Sequence, residues 1–275
     1  MTEVAERPAP APPSPHRGLR GNPALTLAAI SLGVMMVALD GTVVSVANPT
    51  IQRDLGATLA GLQWVTNGYL LALAVLLIPG GKLGDRFGRR RIFAIGIAGF
   101  ALASLGCALS SSIGVLVCFR VLQGVSGAML MPNTLAILRA TFPPEQLTRA
   151  VGIWGATSAL AVASGPIVGG LLVEHISWQS IFLLNVPLGA IALTTTLLVV
   201  KESTEPVHER FDFPGLIALT LGLSLLVWAL IKAQSHAWLS AYVLSFGIAG
   251  LLGLALFAIR EARARWPMLP LDIFR

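Results

Sequence analysis

The chain has 275 residues, 55% of them hydrophobic and only 12% charged, and its mean hydropathy is +0.78. A soluble domain would carry roughly twice that share of charge, so the composition specifies an integral membrane protein. The formal charge of +6 does not indicate a nucleic-acid partner, because the cations gather at the ends of apolar runs, where they set orientation in a bilayer.

Residues 1–22 hold Pro8, Pro10, Pro12, Pro13 and Pro15 with little apolar content, and read as a disordered cytoplasmic tail. The apolar core and small-residue cleavage site of a signal peptide are missing from it, so the first span is expected to stay as an uncleaved anchor. Apolar runs of about twenty residues, enough to cross roughly 30 Å of hydrocarbon as a helix, fall near 24–47, 62–80, 91–110, 113–138, 149–173, 180–200, 214–233 and 239–259. Barrel strands would be about ten residues long with strict alternation, so these runs predict eight helices. Placing the connections on alternate sides puts sixteen Lys and Arg on one side and only Arg53 and Lys232 on the other, with Arg120 inside a span. That asymmetry predicts a multi-pass protein of the cell membrane with both termini in the cytoplasm. The expected organisation is a tail (1–22), a six-span half (23–200), a cytoplasmic loop (201–213), two additional spans (214–259) and a cytoplasmic segment (260–275).

Asp40 lies within the first run, where a carboxylate costs about 2.5–3.5 kcal/mol on insertion scales and is expected to face a cavity or a partner. Arg120 is the second intramembrane charge, and Gln123, Gly124 and Gly127 follow it at three- and four-residue steps on the same helix face. The bland alternatives are a carboxylate close enough to the outer end to meet water and an arginine that snorkels to the surface. Asp40 sits eight residues before the end of an outward-running span and Arg120 seven residues into an inward-running one, hence about 12 Å and 10 Å deep. Their similar heights predict that the two face one another, so that protonating Asp40 weakens the pair and biases a conformational change.

Between the second and third runs, Gly81–Arg91 (GKLGDRFGRRR) packs five cations and one carboxylate into an expected loop that is too basic to cross. A merely basic loop explains Lys82 and the arginines, but not Gly81, Gly88 or Asp85, which is placed to pair with an arginine or a helix start as a latch. In the fifth run, Gly165-x-x-x-Gly169 permits close helix approach and Pro166 bends the backbone. Cys107 and Cys118 are eleven residues apart inside apolar runs, a spacing that fits neither a metal site nor a disulfide, and read as packing residues. No nucleophile–base arrangement or phosphate loop supports an enzyme, and neither a cofactor nor a metal is expected.

Several of these stretches match known patterns. Gly81-x-Leu83-x-Asp85-Arg86-x-Gly88-Arg89-Arg90 resembles the loop between spans two and three of major facilitator superfamily transporters. LDGTVVSVANPTI (39–51) resembles the first-span motif of that superfamily's fourteen-span drug:proton antiporters, with Ser45 and Asn48 departing from it. RVLQGVSGA, starting at Arg120, resembles the fourth-span motif whose arginine is associated with proton coupling. Gly165-Pro166-x-x-Gly169-Gly170 resembles the fifth-span motif of exporters. Trp64, Asn67 and Tyr69, and later Trp178, Ile181, Phe182, Asn185, Val186 and Pro187, also match the fourteen-span group; Trp64 is expected to anchor at the interface.

The resemblance implies an all-α membrane protein: the superfamily's N-terminal six-helix half plus two additional helices. It implies proton-coupled efflux of hydrophobic or cationic drugs or toxic metabolites, driven by the proton gradient, with the bilayer, protons and a small-molecule substrate as partners. Asp40 and Arg120 would then couple protons. Gly81, Asp85, Arg86, Gly88, Arg89, Gly165, Pro166, Gly169 and Gly170 would serve gating, and Gln123, Asn133, Trp154 and Thr157 would line the substrate cavity. The rivals are an importer or metabolite permease of the same fold and a non-transporting membrane subunit. The likeness covers little more than half of a typical member, as if truncated after the eighth span, which leaves open a homodimer of halves or a separate C-terminal half.

Overall fold

The computed structural model describes residues 19–204, 213–233 and 237–263. Helix α1 (Pro23–Leu55) starts where Asn22 accepts the N–H groups of Ala24 and Leu25 with Pro23 in the first turn, and stops at Gly56, whose φ of 59° suits glycine. α2 (Leu59–Phe87) is capped by Thr58, and α4 (Ile113–Thr141) by Ser112. Between them runs α3 (Arg89–Ala108), and after them come α5 (Pro144–His175), α6 (Gln179–Leu183), α7 (Asn185–Val199), α8 (Phe213–Lys232) and α9 (Ala241–Arg263). Among the described residues eight stretches are long and apolar enough to cross a membrane, α6 and α7 together making one of them, Gln179–Val199. The break in that span falls at Leu184, where Pro187 has no N–H to donate to the carbonyl of Leu183. Among the described residues there is no strand.

The helices outrun the apolar stretches, and this corrects one expectation. Gly81–Arg91 is not a loop: α2 continues through Lys82, Asp85 and Arg86 to Phe87, and α3 begins at Arg89. A helix has no reason to end where the hydrocarbon ends, because its backbone bonds are internal. It ends at Gly88, whose φ of 106° turns the chain and whose N–H still reaches the Gly84 carbonyl. The expected tail (for residues 1–18), most of the loop at 205–212 and the end of the C-terminal segment (264–275) lie outside the described residues.

Small residues set the packing. A methyl group on Gly80 would run into the Ala128 carbonyl, and one on Gly124 into the Tyr69 carbonyl, so α2 and α4 touch nearly backbone to backbone. Gly165 and Gly169 bring α5 onto Thr42 and Val43 of α1 in the same way, whereas Gly170 faces open space. Within the first six spans two apolar clusters result, one around Ile51, Leu62, Leu116 and Phe182, the other around Ile30, Phe93, Leu130 and Ile137. Many large side chains point outward, Leu102 at 68% and Leu160 at 70% exposure among them, which suits a hydrocarbon solvent and not water. At one end of the bundle the start of α1, the α2–α3 corner and the end of α7 converge: Gly21 donates to the Val199 carbonyl (2.7 Å) and Arg89 to the Ser203 carbonyl (3.1 Å). Arg20, Lys82, Arg86, Arg89, Arg90, Arg91 and Lys201 all belong to these segments.

α8 and α9 pair through Gly222, Gly250 and Gly253. They meet the six-span bundle where Trp228 packs on Trp64 of α2, ring centroids 4.9 Å apart. Trp64 therefore contributes to a helix–helix contact rather than only to an interfacial anchor.

Candidate functional site

Between the two apolar clusters lies a polar one drawn from five helices. Asp40 on α1 is 0% exposed and Arg120 on α4 is 1% exposed. Arg120 Nη1 lies 2.5 Å from Asp40 Oδ2 and also donates to Gln123 Oε1 at 2.9 Å, while its Nε donates to the Val65 carbonyl of α2 at 3.1 Å. Its guanidinium stands 4.2 Å over the Tyr69 ring and 5.8 Å from that of Phe182, an arrangement that holds a cation on aromatic faces. The second carboxylate oxygen, Asp40 Oδ1, accepts from Asn185 Nδ2 on α7 at 2.9 Å and from Gln123 Nε2 at 3.3 Å. Gln123 in turn donates to Ser104 Oγ on α3 (2.6 Å) and accepts from the Cys107 thiol (3.2 Å).

Charges this deep persist only if they are paired and their remaining hydrogen-bonding capacity is filled. Here the two charges are paired, both oxygens of Asp40 accept hydrogen bonds, and Arg120 donates to three acceptors and lies against two rings. Of the two charged groups only the carboxylate has accessible proton chemistry, since guanidinium does not lose its proton in proteins. The site can therefore exist as an ion pair or, once Asp40 takes a proton, as a lone cation held by Gln123, a backbone carbonyl and two rings.

The geometry brings together Asp40, Arg120 and Gln123 and leaves the other expected residues elsewhere. Asp85 Oδ1 accepts from Arg89 Nε (3.1 Å) and Nη2 (2.9 Å), an ion pair that straddles Gly88 at the charged end of the bundle. Arg86 stacks on Phe87 there, and Gly81 abuts Pro132. Pro166 is exposed on α5, beside Gly165. Asn133 was expected in a cavity; instead its amide donates to the carbonyls of Gly80 (3.0 Å) and Met129 (2.7 Å) and fills the space left by Gly84, in the seam between α2 and α4. Thr157 is satisfied by the Ile153 carbonyl of its own helix (2.9 Å), and Trp154 packs against the Ile30–Phe93 cluster. A cleft of about 370 Å³ opens beside Asn48, Gln52, Gln63, Thr66 and Asn67, where the end of α1 meets the start of α2.

Three participants were missed. Cys107, read as a packing residue, also donates to Gln123. Asn185 and Ser104 complete the network, and the available signal was a polar side chain inside an apolar run at the depth of Asp40. At the charged end Glu202 was missed too: its Oε1 accepts the Arg90 backbone N–H (3.1 Å) and its Oε2 lies 3.8 Å from Arg91 Nε. A carboxylate directly after the sixth span, on the side holding the arginine cluster, was the clue.

Comparison with known proteins agrees with this architecture. The chain is 49% identical over its full length to the tetracenomycin C resistance and export protein of Streptomyces glaucescens, of which it covers 51%. It is 39% identical over 91% of its length to the multidrug resistance protein Stp of Mycobacterium tuberculosis, covering 47% of that protein. The chain thus spans about half the length of the curated relatives it matches. In three dimensions it resembles a POT family transporter crystallised with 5-aminolevulinic acid, with a TM-score of 0.62 and 17% identity over 88% of this chain and 53% of that one. The Major Facilitator Superfamily model matches residues 30–267, and the chain belongs to that superfamily.

Proposed function

We propose that this chain is the proton-binding half of a proton-coupled exporter of drug-like or toxic small molecules, and that Asp40 is the group that carries the proton. The observation that carries this reading is the Asp40–Arg120 pair, buried within the bundle, hydrogen-bonded through both carboxylate oxygens, and containing one member able to change charge. Proton uptake removes the Coulombic attraction that holds α1 to α4 and so changes the relative stability of two arrangements of the spans. An incoming proton would thereby be exchanged for an outgoing substrate. The relatives named for tetracenomycin C export and multidrug resistance support efflux over import. In this reading the arginine-rich end faces the cytoplasm of a cell membrane, α8 and α9 are the extra pair of a fourteen-span transporter, and a second copy or a separate C-terminal half completes the translocation path. The Asp85–Arg89 pair and the glycine seams serve the conformational change.

The test is proton-gradient-dependent extrusion of a fluorescent cationic dye from cells making this chain, beside Asp40→Asn at matched membrane abundance. Extrusion that collapses with the gradient and with Asp40→Asn is the expected result. Extrusion that ignores the substitution overturns the role given to Asp40, and none at all with the protein present rules out the assembly of two copies and leaves the arrangement in which a separate C-terminal half completes the path.

A further inference from the structure

We infer that Asn185 is a positioning residue that reverses its hydrogen bond to Asp40 when Asp40 takes up a proton, donating to the carboxylate and accepting from the carboxyl group. This rests on the reading of Asp40 as the coupling carboxylate. Three donors converge on Asp40, namely Arg120 on Oδ2, and Gln123 and Asn185 on Oδ1. A proton arriving on an Oδ1 lone pair forms one O–H bond, takes the side chain from −1 to neutral, and turns that oxygen from an acceptor into a donor. One neighbour must then offer an acceptor, or a buried O–H is left unmatched.

Gln123 is committed. Its Oε1 already accepts from Arg120 and the Cys107 thiol, and its Nε2 also serves Ser104. Asn185 is different: the residue is 0% exposed, Nδ2 reaches Asp40, and Oδ1 is buried without a hydrogen-bond partner. A half-turn of the amide about Cβ–Cγ brings that idle oxygen to the new O–H. Asn185 also begins α7 directly after the break at Leu184, so the reversal is placed where the sixth span is least constrained by its own backbone bonds.

Few other groups compete. Facing the site are Arg120 on α4, Tyr69 on α2 and Cys107 on α3. α6 and α7 carry no titratable side chain. On α5, Glu145, Arg149, Glu174 and His175 lie nine or more residues from Gly165, which packs on Thr42.

The experiment is infrared difference spectroscopy of the purified full chain in lipid nanodiscs, titrated with acid. The C=O stretch of a protonated carboxyl is assigned to Asp40 as the band lost in Asp40→Asn. In Asn185→Leu, of similar volume and without hydrogen bonds, the band is expected to move to higher frequency, since its O–H has lost its acceptor. Asn185→Asp keeps the shape, and its second carboxyl should couple to the first and split the titration. An Asp40 band with wild-type frequency and midpoint in both variants overturns the inference and leaves the coupling reading standing. Absence of any Asp40 band overturns both.

Discussion

Two aspartate–arginine pairs in this chain use the same chemistry in different solvents. Asp40 and Arg120 are 0% and 1% exposed and come from helices far apart in sequence; Asp85 and Arg89 are 30% and 12% exposed and sit four residues apart, on either side of the break at Gly88. The first pair exists because neither charge could be buried alone, and it holds α1 to α4 at the cost of several supporting groups. The second, near water, is worth at most about 1 kcal/mol as an attraction, so its value lies in bridging the turn at Gly88. Burial, not the identity of the residues, makes one pair a candidate switch and the other a brace.

The sharpest way to break the comparison is to strip each pair of one partner. Arg120→Ala leaves Asp40 as a buried unpaired carboxylate, with an expected loss of about 3–5 kcal/mol; Arg89→Ala should cost less than about 1 kcal/mol. Thermal unfolding in one detergent reads both. Equal losses would mean that water reaches Asp40. The double variant Asp40→Asn with Arg120→Gln, which removes both charges, is expected to recover a large part of the stability while abolishing any pH dependence of proton uptake.

Next come the glycine seams that set the distance between helices. Gly124→Ala and Gly80→Ala press a methyl group onto a backbone carbonyl of the facing helix, and each is expected to cost about 1–3 kcal/mol. Gly170→Ala meets nothing and should be neutral or stabilising by up to about 1 kcal/mol. If all three behave alike in the same unfolding assay, the close approach of α2 and α4 is not what holds Arg120 against Val65 and Tyr69.

How much of this was legible follows from the range of each signal. The eight long apolar helices depend on local hydropathy and were readable. The meeting of Asp40 with Arg120 could be reached by counting depth, because a helix converts residue number into height at a fixed rise. Asn185 could not be found that way. It lies 145 residues from Asp40, at a helix break whose rotation sets where the amide points, and depth says nothing about rotation. The cavity residues were harder still, since Asn133 looks equally polar whether it lines a cavity or fills the notch at Gly84. The basic stretch was misread as a loop for the opposite reason: charge content reports on the solvent, and the backbone there is free to stay helical in water.

The smallest expected effect concerns Glu202, and it separates two roles at the charged end. α3 begins with Arg89, Arg90 and Arg91 at the end of the helix dipole that disfavours cations, and its N-cap, Gly88, has no side chain to accept the first N–H groups. Glu202 supplies that acceptor from beyond the end of α7, bonding the Arg90 N–H, while its contact with Arg91 is long at 3.8 Å and that arginine is 77% exposed. If Glu202 acts as a remote cap, Glu202→Ala should cost about 1 kcal/mol, in the range of a lost N-cap, and Glu202→Gln, which keeps an acceptor oxygen, only a few tenths. If it acts as an ion-pair partner, both substitutions should cost the same, and the loss should vanish in high salt. Unfolding of the two variants at low and high ionic strength decides between them. The capping outcome would mean that the α2–α3 corner is held to the sixth span by a hydrogen bond that salt does not loosen.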